Sequence, residues 1–149
     1  MTRAETARPH RGFLADLHEA DLEVVLDYMQ ARLYAPGELA VREGEHDRSF
    51  FIVTRGSFEV RVPTEQGERR ARALAPGDLF GEVAFFDGRP RSANVVAVEE
   101  AEALVLTETA FQRLRLMHPR LAVRFVLDLG RVLSERFRAS DAAIAVDAR

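Results

Sequence analysis

The segment from Leu79 to Val95, LFGEVAFFDGRPRSANV, constrains this chain more tightly than any other. It places a glycine and a carboxylate, Gly81 and Glu82, ten and nine positions before an arginine, Arg91. Between them lie a short apolar run and a turn that contains glycine and proline. An acid, a guanidinium and tightly turned backbone suit a small ligand that carries both a hydroxyl group and an anionic phosphate.

Each part of this segment has a distinct chemical use. Arg91 is the expected anion partner, because its planar fork can donate two parallel hydrogen bonds and keeps its charge. Glu82 would repel a phosphate, but it can accept a hydrogen bond from a ribose 2′-hydroxyl. The run Val83–Phe86 predicts about one helical turn, whose first N–H groups would favour the same anion. Gly81 lets backbone approach the ligand, and Gly88 is expected to end the turn with a positive φ.

The segment closely resembles the phosphate-binding cassette of the cyclic-nucleotide-binding domain family, whose pattern runs roughly F-G-E-[LIV]-A-L-x-x-x-x-P-R-x-A. The residues in register with that pattern are Phe80, Gly81, Glu82, Val83, Ala84, Pro90, Arg91 and Ala93. The resemblance implies that Glu82 holds the ribose 2′-hydroxyl and Arg91 the phosphate. We expect the ligand to be cAMP. Ser92 also leaves cGMP open, because a hydroxyl at this position meets the purine in members that prefer guanine.

Two other interpretations of the segment remain open. Glu82 and Arg91 can be an ordinary ion pair that closes a surface turn, although this does not explain the glycine, alanines and proline at matching spacing. Alternatively, the chain can be a degenerate member of the family that keeps the fold, has lost the nucleotide and contacts a protein partner. An intact pair of Glu82 and Arg91 speaks against that second alternative.

Composition limits the other classes of protein. At 149 residues the chain is long enough for one domain with a substantial core, and it contains no cysteine for a disulfide or a thiolate metal site. No apolar run approaches the roughly 20 residues of a membrane span. Residues 1–12 lack the apolar stretch of a secretory signal, so we expect a cytoplasmic protein that does not bind a membrane. A net charge of −3 with interspersed arginines argues against a nucleic-acid surface.

The order of patterns along the chain predicts a mainly β fold with flanking helices. Residues 1–12 are expected to be a disordered lead, and the family domain to cover 13–140. Apolar residues recur at helical spacing from Leu14 to Leu33, which predicts an N-terminal helix that ends near Tyr34. From about 35 to 107, short apolar runs are separated by glycines every 7 to 12 residues. That rhythm predicts an antiparallel, jelly-roll-like β-roll.

Two helices are predicted after the roll, over about 109–140, followed by a frayed tail at 141–149. Thr109 and Gln112 form a candidate capping box for a short helix through Met117, and Pro119 suits the first turn of a long helix. The apolar stripe of that long helix comprises Leu121, Phe125, Val126, Leu129, Val132, Leu133 and Phe137. We expect a chain cut at Met117 to keep a folded roll.

The resemblance adds expectations for the long helix. It implies a lid over the nucleotide, with Arg136 touching the purine, and an outer face that pairs with a second subunit to form a homodimer. The output would be a conformational change passed to an unidentified protein effector.

Other functional classes fit less well. A cupin-like metal enzyme needs two or three converging imidazoles, and His10, His18, His46 and His118 show no H-x-H pair. No catalytic arrangement of serine and histidine is evident, so we expect neither an enzyme nor a catalytic cofactor. A transcription regulator of the catabolite-activator type would append a helix-turn-helix, for which the residues after Ser140 leave no room. We therefore expect a stand-alone ligand-sensing domain.

Overall fold

A computed structural model describes residues 13–147 of the chain, with the side chains of residues 13–140. In chain order the elements are α1 (Glu19–Asp27), β1 (Gln30–Tyr34), β2 (Leu39–Val41), β3 (Phe50–Arg55), β4 (Phe58–Thr64), β5 (Gly67–Leu74), β6 (Leu79–Phe80), α2 (Glu82–Asp87), β7 (Asn94–Ala97), β8 (Ala101–Leu106), α3 (Glu108–Met117) and α4 (Pro119–Asp147). The predicted lead at 1–12 lies outside the described residues. Helix α4 runs past its predicted end at Ser140, and the side chains of the predicted tail are not described.

The strands form two antiparallel four-stranded sheets. One has the order β1-β8-β3-β6 and the other the order β2-β7-β4-β5. Strands that are neighbours in a sheet are mostly distant in the chain, as in a roll whose long connections pass between its two sheets. The structure confirms the predicted antiparallel β-roll with an N-terminal helix and a long C-terminal helix.

Strand β3 explains why the roll can carry helices on one side. Phe50 and Ile52 pack into a core cluster shared with the helices, whereas Phe51 and Val53 pack into a second cluster between the two sheets. Successive side chains of a strand point to opposite faces, so a run that is apolar at every position is buried on both. The molecule therefore has three layers, with one sheet between the helices and the other sheet.

An aromatic cluster joins the helices to this middle sheet. Phe125 of α4 has its ring 5.4 Å from that of Phe13 and 5.6 Å from that of Phe50, both edge to face. Phe85 of α2 and Phe111 of α3 pack on the same cluster, with their ring centroids 5.0 Å apart. Edge-to-face pairs add to the free energy of burying the rings. The long helix is thus part of the core, which revises the expectation that a chain cut at Met117 keeps its fold.

The predicted N-terminal helix is too long. Helix α1 ends at Asp27, and Gln30–Tyr34 forms β1, which pairs with β8 over five residues from Gln30↔Val105 to Tyr34↔Ala101. Leu33, which continues the helical spacing, is 67% exposed. Hydrogen bonding to a distant strand has therefore overridden the local periodicity, as tertiary context often does. The roll begins at Gln30 rather than at about 35.

The start of α3 and the face of α4 also differ from prediction. The cap of α3 is Thr107, whose hydroxyl accepts a hydrogen bond from the Ala110 N–H, so the predicted cap at Thr109 is wrong by two residues. Phe137 does not belong to the buried stripe, because it is 70% exposed. Pro119 opens α4 as predicted. Across the described residues, no helix is both long enough and apolar enough to span a membrane.

Candidate functional site

A cavity of about 570 Å³ opens beside α2, between the cassette and the sheet that contains β2, β4, β5 and β7. All nine candidate residues of the cassette line it: Phe80, Gly81, Glu82, Val83, Ala84, Pro90, Arg91, Ser92 and Ala93. The tenth candidate, Arg136, is not among the lining residues and reaches the site through Glu82. The volume lies within the range of small-molecule sites.

Two glycines with positive φ bound the short helix α2. Gly81 precedes it with φ +81° and Gly88 follows it with φ +67°, as predicted for Gly88. A Cβ at Gly81 would lie 2.7 Å from the carbonyl oxygen of Ser49 and 3.1 Å from Nη1 of Arg91. Only a residue without a side chain allows backbone and guanidinium to pass this closely.

Arg91 is buried beneath the cavity and is held mainly by backbone oxygens. Its Nη2 donates to the carbonyl of Ser49 at 2.7 Å and to Oδ2 of Asp47 at 3.2 Å, and its Nη1 donates to the carbonyl of Gly81 at 3.1 Å. Its side chain is 4% exposed. The buried Nε has no hydrogen-bond partner among the described residues. An unsatisfied donor on a buried cation is costly, so an anion drawn to this group would be favoured.

Asp47 supplies the carboxylate that faces Arg91. Burial alone would raise the pKa of this carboxyl, but hydrogen bonds from the hydroxyl and N–H of Ser49, together with the Arg91 charge, hold the pKa below its usual value. Because folding lowers the pKa of Asp47, its ionised carboxylate stabilises the folded state near neutral pH. This stabilisation is lost as the pH falls below the usual pKa of an aspartate carboxyl and through the lowered pKa of Asp47.

Glu82 and Arg91 do not pair with each other. Glu82 is 7% exposed, and its Oε1 accepts a hydrogen bond from Nη1 of Arg136 on α4. Nη2 of Arg136 also donates to the carbonyl of Leu79, at 3.3 Å. The long helix is therefore attached directly to the carboxylate of the cassette. Both charged residues are buried in the described protein, so they are not an ordinary ion pair that closes a surface turn.

The cavity wall includes residues that the sequence analysis did not single out for the site: Val41, Val60, Ala71, Arg72, Asp87, Arg89 and Val95. The valines come from β2, β4 and β7, which are separated in the chain and meet only through sheet pairing. Arg72 lies on β5, and its Nη2 donates to the carbonyl of Leu79 at 2.8 Å. Asp87, Arg89 and Val95 lie within the segment that the sequence analysis singled out, whereas no local signal assigned Val41, Val60, Ala71 and Arg72 to the site.

This arrangement suits a ligand with three different parts. Arg91 offers a buried cation, Glu82 offers a carboxylate acceptor, and Val41, Val60 and Val95 offer an apolar wall. In the described part of the chain, no three histidine, aspartate or glutamate side chains converge as a metal ion requires. The fold and the site together define a β-roll with a cavity whose lining suits a small anionic molecule.

Comparison with known proteins identifies the family. The sequence model of the cyclic nucleotide-binding domain matches residues 31–118, more than half of the chain. The chain belongs to this family. A crystal structure of a cyclic nucleotide-binding domain from Methylobacillus flagellatus is similar to it with a TM-score of 0.81 at 25% identity, covering 89% of this chain and 75% of that one.

Two relatives show the range of proteins that contain such domains. The chain is 37% identical over 103 residues to the cAMP-dependent protein kinase regulatory subunit of Mycosarcoma maydis, covering 66% of this chain and 20% of that protein. It is 32% identical over 122 residues to the cyclic AMP receptor protein of Thermus thermophilus, covering 81% and 55%. The chain thus spans a fifth to about half of these relatives, which are a regulatory subunit and a receptor.

Proposed function

We propose that this domain binds a 3′,5′-cyclic mononucleotide, with cAMP favoured over cGMP, and acts as a cytoplasmic regulatory module rather than as an enzyme. The observation that carries the proposal is the buried guanidinium of Arg91, which lines the cavity and keeps one donor without a partner among the described residues. The names of the two relatives, both tied to cAMP, support the choice of nucleotide.

The roles of the site residues follow from their chemistry. Arg91 binds the cyclic phosphate, aided by the hydroxyl of Ser92, and Glu82 accepts a hydrogen bond from the ribose 2′-hydroxyl. The remaining candidates, Phe80, Gly81, Val83, Ala84, Pro90 and Ala93, shape the wall around the phosphate and ribose. We keep the prediction that Arg136 contacts the purine. For this contact, Arg136 must either keep its hydrogen bond to Glu82 while it touches the purine or give up that hydrogen bond.

A second function has an observation in its favour. Both charged groups of the site already have protein partners, since Glu82 pairs with Arg136 and Arg91 pairs with Asp47. A domain that had lost its nucleotide could keep these pairs as structure and use its surface to contact a protein. A measurement of cyclic-nucleotide binding distinguishes the two functions, because only the first requires it.

We expect a thermal-shift panel to distinguish them. At about 100 times its Kd, a cyclic nucleotide stabilises the fold by roughly 2.7 kcal/mol, which raises the melting temperature by about 5–10 °C for a domain of this size. Linear 5′-AMP serves as a control, because it carries an extra charge and lacks the cyclic phosphodiester. Unchanged melting with both cAMP and cGMP would favour the protein-interaction module.

We further propose that α4 carries the output of binding to a protein effector. Arg136 attaches this helix to Glu82, so a nucleotide that engages Glu82 or Arg136 must alter the attachment. We expect amide hydrogen exchange at 126–138 to slow on addition of cAMP by more than it slows in α1. In Arg136→Met, the extra slowing of α4 should disappear. Equal slowing of exchange in α1 and α4 of the parent protein would indicate that α4 only packs against the roll and carries no output.

The outer face of α4 supports the proposal of a homodimer. Val123, Leu127 and Phe137 are 57%, 69% and 70% exposed, and their spacing places them along one face of the helix, opposite the buried Phe125 and Leu129. Gly130 and the small side chain of Ser134 lie on the same face, and a Cβ at Gly130 would meet nothing within 4 Å.

We expect sedimentation velocity over a concentration series to show a monomer–dimer equilibrium that Leu127→Glu abolishes. A charge at the centre of an apolar interface must be buried without a partner, which opposes association. Val98→Glu, at an exposed apolar residue outside α4, is the matched control and should associate like the parent. A parent protein that stays monomeric throughout the series would contradict the dimer.

A further inference from the structure

Arg48 makes a set of contacts at the far end of the cassette helix. Its Nη2 donates to the carbonyl of Phe85 at 2.9 Å and to that of Phe86 at 3.0 Å, and its Nε donates to the carbonyl of Phe85 at 3.3 Å. The last four carbonyls of a helix have no partner within it. In α2, Gly88 satisfies the carbonyl of Ala84, and Arg48 satisfies the two that follow.

The guanidinium also lies against the turn that ends α2. A Cβ placed on Gly88 would lie 3.2–3.4 Å from three atoms of the Arg48 side chain. Nη1 of Arg48 is also 3.8 Å from Oε1 of Glu108, in the first turn of α3. Arg48 lies in the loop before β3. It therefore joins the end of α2 both to that loop and to α3.

The neighbours of Arg48 hold the opposite end of the same helix. Asp47 and the carbonyl of Ser49 bind the guanidinium of Arg91, and that carbonyl lies close to Gly81 at the start of α2. The segment 47–49 thus contacts the end of α2 through Arg48 and reaches its start through the carbonyl of Ser49, beside Gly81. A helix of six residues is not stable by itself, so its position depends on such contacts and on the packing of Phe85.

We propose that Arg48 is a positioning residue for nucleotide binding, which fixes α2 so that the Glu82 carboxylate meets the ribose hydroxyl. This inference rests on the proposed function. Arg48 is not among the residues that line the cavity, so it acts through the helix and not through the ligand. Its loss frees the end of α2 to shift, and the shift moves Glu82, which begins that helix.

The test compares cAMP with 2′-deoxy-cAMP, measured by calorimetry below the melting temperature of each protein. In the parent we expect cAMP to bind about 10–150-fold more tightly, the value of one hydrogen bond to a charged group. In Arg48→Met we expect this preference to fall to about twofold, with weaker binding of cAMP. Arg48→Lys, which keeps a cation within reach of the carbonyls, should restore part of the preference.

Arg42→Met is the matched control, because Arg42 is an exposed arginine at 3.9 Å from a glutamate and contacts neither α2 nor α3 through that pair. It should keep the full preference. A role in stability alone would weaken both nucleotides equally, so an unchanged preference in Arg48→Met overturns the inference. If Arg48→Met does not fold, Arg48→Gln takes its place under the same criterion. A parent that binds neither nucleotide overturns the proposed function instead.

Discussion

Replacing Arg91 by alanine is expected to weaken cAMP binding by about 2–4 kcal/mol, or roughly 30–1000-fold. The guanidinium is buried, so its interaction with a cyclic phosphate is not screened by water as a surface pair would be. Calorimetric titration of the parent and of Arg91→Ala measures the difference directly. Equal affinity in the two proteins would show that the phosphate lies elsewhere.

Glu82→Gln provides the contrast within the same site. The amide keeps the shape and one acceptor oxygen, so the expected loss is smaller, about 1–2 kcal/mol. It also weakens the attachment of Arg136, which should reduce the protection of α4. A larger loss from Glu82→Gln than from Arg91→Ala would reverse the proposed division between ribose and phosphate.

Arg91→Ala should also affect the fold, which the sequence alone did not suggest. Arg91 satisfies the carbonyls of Ser49 and Gly81 and neutralises Asp47. Leaving these acceptors without a donor is expected to cost about 1–3 kcal/mol in the free energy of unfolding. Affinities must therefore be measured where the variant is fully folded.

Phe125→Ala is expected to lower the free energy of unfolding by about 3–5 kcal/mol, the largest loss of stability that we predict. Phe125 is fully buried, and its ring contacts rings from the N-terminal turn, β3, α2 and α3. Since domains are stable by about 5–15 kcal/mol, one substitution removes a large share. Urea denaturation followed by circular dichroism at low protein concentration measures it.

Phe137→Ala is the matched control, the same substitution on the same helix at a side chain that is 70% exposed. Its effect on unfolding at that low concentration should stay within about 0.5 kcal/mol. Similar losses for the two variants, or a loss below 1 kcal/mol for Phe125→Ala, would contradict the packing of α4 against the roll.

The parts of the site that the sequence could predict are those encoded locally. Gly81, Glu82 and Arg91 lie within one short segment, and their chemistry together with the family pattern predicted a nucleotide site there. Gly88 was expected to adopt a positive φ because a turn follows an apolar run. These inferences needed no knowledge of residues that are distant in the chain.

The rest depends on contacts between distant segments. Arg91 has two partners, Asp47 and Ser49, that precede it by more than forty residues. They come close to Arg91 only because the roll places the start of β3 beside it. Strand β1 could not be separated from α1, since its pairing with β8 outweighs a helical spacing that continues to Leu33. The pairing of Arg136 with Glu82 was not foreseen either, and the contact of Arg136 with a purine stays a prediction.

Equilibrium dialysis of the protein against radiolabelled cAMP tests the central claim most directly. We predict saturable binding of one nucleotide per chain, displaced by unlabelled cAMP and more weakly by cGMP, but not by 5′-AMP. Arg91→Ala should retain little label at the concentration that half-saturates the parent. Absence of saturable binding of cAMP, together with absence of binding of labelled cGMP, would contradict the account and leave the cavity without its proposed ligand.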